Sequence, residues 1–186
     1  FYADFYGGSN AGIGIVGDFD VAEATKIIST GIGAWKSPIK YQRIPNTFVD
    51  VKAKNEAIET PDKANALFLA GLNLPISDSD PDFASLYVGN FVLGGGTLSS
   101  RLADRIRQKE GISYGVGSYM SAEAQDKTGN WGAYAIAAPE NVERLEKAFQ
   151  EEIEKILKEG ITEKELEDVK KSIIQSRNVN RADDNR

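Results

Sequence analysis

The chain has 186 residues, 41% of them hydrophobic and 27% charged, the size and balance of one globular domain with a continuous core, which excludes a disordered segment. Its longest apolar runs, such as ALFLAGL at 66–72, fall far short of the roughly 20 residues a bilayer helix needs, so no membrane span is expected. A net charge of −6 argues against a nucleic-acid partner, and the absence of cysteine and histidine removes the thiol and imidazole nucleophiles, the usual zinc ligands and the commonest general base.

The chain opens FYADFYGG, with neither an initiator methionine nor a charged-then-apolar signal segment, and closes on the polar NVNRADDNR. Residues 1–186 therefore read as a single domain excised from a larger protein. In AGIGIVG, 11–17, glycines alternate with isoleucines, a pattern that predicts a short buried strand closely approached by neighbouring backbone. A helix follows over about 20–30. Asp18 and Asp20 could form a carboxylate pair, but Asp20 stands where a helix N-cap belongs.

VDVKAK, 49–54, alternates apolar and polar residues as a half-buried strand does, and ALFLAGL, apolar throughout, predicts a central strand. Thr60, Pro61 and Asp62 supply the turn between them. Asp80 and Pro81 open a helix carrying Phe83, Leu86, Tyr87 and Phe91 near one face, which Gly94, Gly95 and Gly96 stop. The next helix starts near Ser99, with Leu98, Leu102 and Ile106 as an i, i+4 stripe from which Arg107 points away, and it ends at Gly111.

Two strands follow, 112–122 and 129–138, joined by the polar turn EAQDKT. Tyr114 shares parity with Val116 and Met120, which predicts that it faces the core side, while the opposite face carries Ser113, Gly115, Gly117 and Ser121. Pro139 opens a long helix with an apolar stripe of Val142, Leu145, Phe149, Ile153 and Ile156, and with i, i+4 pairs Glu143–Lys147 and Glu151–Lys155 on its solvated side. Thr162 and Glu165 predict a capping box for a last helix in which Leu166, Val169 and Ile173 recur. Hairpin strands separated by helices give an α+β fold: a mainly antiparallel sheet covered by α-helices.

Two constellations invite a chemical reading. LGGGTLSSRL, 93–102, lacks the spacing and the lysine of a phosphate-binding loop and follows a helix instead of a strand, so nucleotide binding is not expected. In RQKEGISY, 107–114, Arg107 and Tyr114 flank Gly111 at a helix-to-strand junction. They are either ordinary residues, a last-turn cation and a strand aromatic, or a pair that holds a ligand.

The run NFVLGGGTLSSRLADRIRQKEGISYGVGSYM, with GIGIVGDFD before it and GITEKELEDVKKSI after it, resembles the C-terminal type domain of the pitrilysin/insulinase family of zinc metallopeptidases, which includes the mitochondrial processing peptidases and bacterial envelope peptidases. The resemblance spans nearly the whole chain and implies the processing-peptidase-like fold. It also implies two homologous halves that close on an extended peptide. One half, in the same or a separate chain, would carry zinc on an H-x-x-E-H motif; the other would lend an arginine and a tyrosine to the substrate. Arg107 and Tyr114 match that pair, and Gly94, Gly95 and Gly96 match a glycine-rich loop that can face substrate. This chain has no histidine, so the resemblance implies a domain without metal, inactive alone, in an enzyme whose zinc lies in the partner half. The alternative it allows is a proteolytically inactive structural or assembly domain. Bacterial members imply a periplasmic or envelope location, and the tail QSRNVNRADD resembles a helix that continues in long members.

Overall fold

Three strands without a charged residue among them build the sheet: β1 (Ala66–Leu74), β2 (Ser113–Ala122) and β3 (Gly129–Ala137). In this computed structural model, which describes residues 1–96 and 98–182, they pair antiparallel in the order β1-β3-β2. Phe68, Ala70, Val116, Trp131, Ala133, Ala135 and Ala137 share one face, and the helices cover it. Small alanines on the central strand let helices approach closely. Leu102, Ile106 and Leu145, all fully buried, fill the space above them. The α+β fold and its helix-covered antiparallel sheet are as the sequence predicts.

The helices follow their patterns with local differences. A helix α3 (Phe83–Asn90) continues as a π-helical turn, Phe91–Gly95, and its rings step along one face, with Phe83–Tyr87 and Tyr87–Phe91 centroids 6.1 and 5.2 Å apart. Asp80 lies one turn early: its carboxylate accepts from the Asp82 amide, and the helix proper starts at Phe83. Leu98 is exposed outside the next helical segment, so the buried stripe reduces to Leu102 and Ile106. A long amphipathic helix, Val142–Glu159, packs Leu145, Phe149, Ile153 and Ile156 on the sheet. Among the described residues, Glu143–Lys147 and Glu151–Lys155 do not pair; Glu151 turns instead to Arg105 at 2.8 Å. The last helix, Glu163–Arg181, has the predicted capping box, with Thr162 N–H donating to Glu165 and Glu165 N–H donating to Thr162 Oγ1. Asp183 and Asp184 of the tail lie outside the described residues.

Two expected strands do not form. Residues 11–17 have no ladder partner among the described residues, and a Cβ built at Gly12 or Gly14 would meet nothing within 4 Å, so these glycines serve no close approach. Residues 49–54 run beside β1, with Asn73 Nδ2 donating to the Val49 carbonyl at 3.0 Å, yet a cleft of about 560 Å³ lies between residues 50–55 and 68–73. Strands must close to about 4.8 Å to share hydrogen bonds. The consequence is that β1, expected in the centre, is an edge strand.

The described chain falls into two compact units, Asn46–Ser176, which holds the sheet, and Phe1–Pro45 with residues 177–182. In the latter, a short helix, Tyr2–Phe5, is held by ring contacts, Tyr2 stacked on Tyr6 at 5.2 Å and tilted against Trp35 at 5.2 Å. Its helix Val21–Gly31 is capped by Asp20, whose carboxylate accepts from Glu23 N–H at 2.8 Å. That contact makes Asp20 a cap.

Candidate functional site

Leu102 and Ile106 pin a second π-helical segment, Ala103–Lys109, onto the core, and this fixes where Arg107 leaves the backbone. The segment ends with Glu110 N–H donating to the Arg105 carbonyl at 3.1 Å. Gly111, at φ +64, then takes the left-handed conformation that lets the chain reverse into β2. The turn is short, so residues 107 and 114 end up side by side. The Arg107 guanidinium carbon lies 4.4 Å from the centre of the Tyr114 ring, a cation–π contact.

Tyr114 does not face the core side. The ladder to β3 matches Ser113 with Ala137 and Gly115 with Ile136, so residue 114 is an extra one, inserted at a β-bulge. A bulge breaks the alternation of faces and re-aims the inserted side chain. Tyr114 is 83% exposed as a result, with its phenol free to meet another molecule.

The surrounding arginines behave differently. Arg101 makes a two-pronged contact with Glu165, from Nε at 2.7 Å and Nη2 at 2.9 Å, and also donates to the Gly160 carbonyl at 2.8 Å. Arg101, through these bonds and against the effect of burial, holds the Glu165 carboxyl down at about 2, with Thr162 assisting. Arg105 joins Glu110 and Glu151, and Arg144 also reaches Glu110, whose carboxyl is lowered by Arg105 and then Arg144. Among the described residues Arg107 has no carboxylate within 4.0 Å. Its planar donor fork is therefore available to carbonyl or carboxylate oxygens.

The glycine triplet lies against protein. A Cβ on Gly94 would come within 2.7 Å of Ser118 Oγ and 2.9 Å of Leu102, one on Gly95 within 2.3 Å of Asn90 Nδ2, and one on Gly96 within 2.7 Å of the Phe91 carbonyl. Gly94 is buried, which lets the π-helical turn press against β2. Asn90, which sequence reasoning missed, locks that junction: its buried Oδ1 accepts from Ser118 Oγ at 2.7 Å and Trp131 Nε1 at 3.0 Å. The sequence signal for it was an amide at the end of an uncharged, mostly apolar helix. Among the described residues no three acidic side chains converge as metal ligands, and with no histidine or cysteine this chain's donors do not fit zinc.

With this geometry in hand, the comparisons with known proteins are specific. Residues 1–173 match the family model of the peptidase M16 inactive domain. The non-peptidase homolog YmxG of Helicobacter pylori is 34% identical over 125 residues, 66% of this chain and 28% of that protein. The uncharacterized zinc protease YmxG of Bacillus subtilis is 35% identical over 88 residues, 47% of this chain and 21% of that protein. Among solved structures, a peptidase M16 inactive domain from Pseudomonas fluorescens shares 30% identity at a TM-score of 0.68, over 84% of this chain and 37% of that one. A protease from Helicobacter pylori shares the fold at a TM-score of 0.73 and 20% identity, over 91% of this chain and 41% of that one. The chain thus spans less than a third of the length of these two curated relatives.

Proposed function

The chain belongs to the peptidase M16 inactive-domain family, and from that premise we propose that it is the substrate-holding domain of a zinc endopeptidase, with Arg107 and Tyr114 gripping an extended peptide. The observation that carries this reading is the bulge that turns Tyr114 outward beneath the Arg107 guanidinium. A structural role would bury the ring or pair the cation. Here the ring is exposed and the cation has no acid partner among the described residues.

Two donors of different shape suit a peptide backbone. The Tyr114 hydroxyl donates to a carbonyl oxygen whose negative charge grows as the bond is attacked, which makes the contact stronger in the transition state than in the bound substrate. The Arg107 fork holds neighbouring carbonyls and keeps the chain extended. Zinc and its base belong to the homologous half in this reading, since this chain has neither histidine nor cysteine to hold the metal. Gly94 supports it indirectly: the absence of a side chain there leaves room for Leu102, which with Ile106 pins the segment that carries Arg107.

The name of the Helicobacter pylori relative, a non-peptidase homolog, favours a second reading, a domain kept for assembly after proteolysis is lost. One experiment separates them. In the complete protein, Tyr114→Phe lowers peptide turnover by roughly 10- to 1000-fold, the scale of losing one transition-state donor, while the thermal unfolding midpoint stays unchanged. Normal turnover in that variant, or a complete protein with intact assembly and no hydrolysis of any peptide, gives the second reading.

A further inference from the structure

We infer that the π-helical register of Ala103–Lys109 is what leaves Arg107 to a peptide, with Arg105, Lys109 and Arg144 as positioning residues that occupy the two acids flanking it; the inference rests on the peptide-holding reading of Arg107. Asp104 stands three residues before Arg107, and Glu110 three residues after it. In an α-helix, residues three apart are surface neighbours, and opposite charges at that spacing pair. An α-helical register would therefore bracket Arg107 with two carboxylates.

Neither pairs with it. In a π-helix the backbone hydrogen bond reaches five residues along the chain, so a side chain comes to lie near the fifth from it. The bond from Glu110 N–H to the Arg105 carbonyl, 3.1 Å, has this span. Both acids follow it: Glu110 pairs with Arg105, and Asp104 with Lys109 at 2.7 Å, each across five positions. Arg144, on the long helix Val142–Glu159, takes the other oxygen of Glu110, and Glu151 of that helix holds Arg105 at 2.8 Å. Two acids are thus spread over three cations. Arg107 is left over the Tyr114 ring.

The choice of register matters little to the fold and much to a ligand. Surface ion pairs contribute little to stability whichever cation they use, so moving Asp104 and Glu110 away from Arg107 costs the chain little. A carboxylate on Arg107 would instead compete with peptide carbonyls for the same donor fork. It would win, since a charged acceptor binds a guanidinium more strongly than a neutral one and a tethered group is always at high effective concentration. Holding the acids elsewhere removes that internal competitor.

The test reads the affinity of the complete protein for a labelled peptide of neutral residues, by fluorescence anisotropy before hydrolysis sets in, beside the thermal unfolding midpoint. Lys109→Met releases Asp104, and Arg105→Met with Arg144→Met releases Glu110; each is expected to weaken binding by about tenfold, the scale of one charge-assisted hydrogen bond. Should Arg105→Met unfold the segment, the exposed Lys109 and Arg144 can each be changed alone, with the same direction expected. Neutralising the released acid in the same chain, by Asp104→Asn or Glu110→Gln, restores the affinity, which a purely structural loss would not. In an Arg107→Ala background the cation variants have no further effect. A loss that persists after the acid is neutralised overturns the inference and leaves the grip standing, as does unchanged affinity in the cation variants where Arg107→Ala weakens it. If Arg107→Ala binds the peptide as the parent does, the grip falls and this inference with it.

Discussion

Arg101 and Arg107 lie six residues apart on one stretch of chain, and the protein uses them in opposite ways. Arg101 is almost enclosed, clamped to Glu165 and to the Gly160 carbonyl, so that it ties the segment after the glycine triplet to the start of the last helix. Arg107 has no acid partner among the described residues and rests on a phenol that is itself exposed. A guanidinium whose donors are all directed inward can only stabilise. Arg107, engaged by no acid among the described residues, rests over the exposed ring instead, and under the proposed reading it is the one that meets a peptide. The difference lies in the surroundings, since the side chains are chemically identical.

The contrast can be broken most forcefully at Arg101. Arg101→Ala leaves Glu165 half-buried without its cation and should cost about 3 kcal/mol, the low end for breaking a buried pair, read as the free energy of chemical unfolding. The same variant has a pH signature. Glu165 titrates at about 2 in the folded chain against an ordinary value of 4.5, so its contribution is present above about pH 4.5 and is lost as the pH falls towards 2. In Arg101→Ala that acid-side loss should flatten. An unaltered acid limb would mean that the clamp is not what holds the carboxylate.

A smaller effect is expected at the capping box. Thr162→Ala removes an acceptor for Glu165 N–H and a donor to Glu165 Oε2, and should cost about 0.5 to 2 kcal/mol. Because Arg101 and Thr162 converge on the same carboxylate, the double variant should lose less than the sum of the two; strict additivity would show two independent contacts. The smallest effect sharpens the contrast. Arg107→Ala should change unfolding free energy by no more than about 1 kcal/mol, the scale of an exposed cation–π contact, while weakening peptide affinity in the complete protein. A loss comparable with that of Arg101→Ala would make the two arginines alike and the grip a structural contact.

Local rules made much of this legible. The stripe of Leu145, Phe149, Ile153 and Ile156, the Asp20 cap, and the Thr162–Glu165 box each depend on residues within a turn or two of one another, and all form. The proximity of Arg107 and Tyr114 was readable for the same reason, since a glycine turn joins their elements. Facts that depend on a distant partner were not readable. Whether residues 11–17 or 49–54 are strands is settled by what lies beside them, and an apolar run such as ALFLAGL looks the same at an edge as in the centre. The orientation of Tyr114 was misread because parity counting assumes an unbroken ladder, and the bulge exists only in the register with β3. The Arg101–Glu165 clamp, 64 residues apart in sequence, had no local signal at all.

The bulge at Tyr114 also separates two kinds of change during descent. A residue matched across a strand is tied to its neighbour, but position 114 is matched to none, so it can be exchanged without disturbing the ladder on either side. Loss of that single codon would bring Ser113 and Gly115 into consecutive register with Ala137 and Ile136, giving a regular strand that has erased the phenol. Chains one residue shorter at this point would keep their sheet and lose the hydroxyl together with the cation's resting place, so under the proposed reading the length of the segment between Gly111 and Gly115 is a heritable switch between gripping and merely folding.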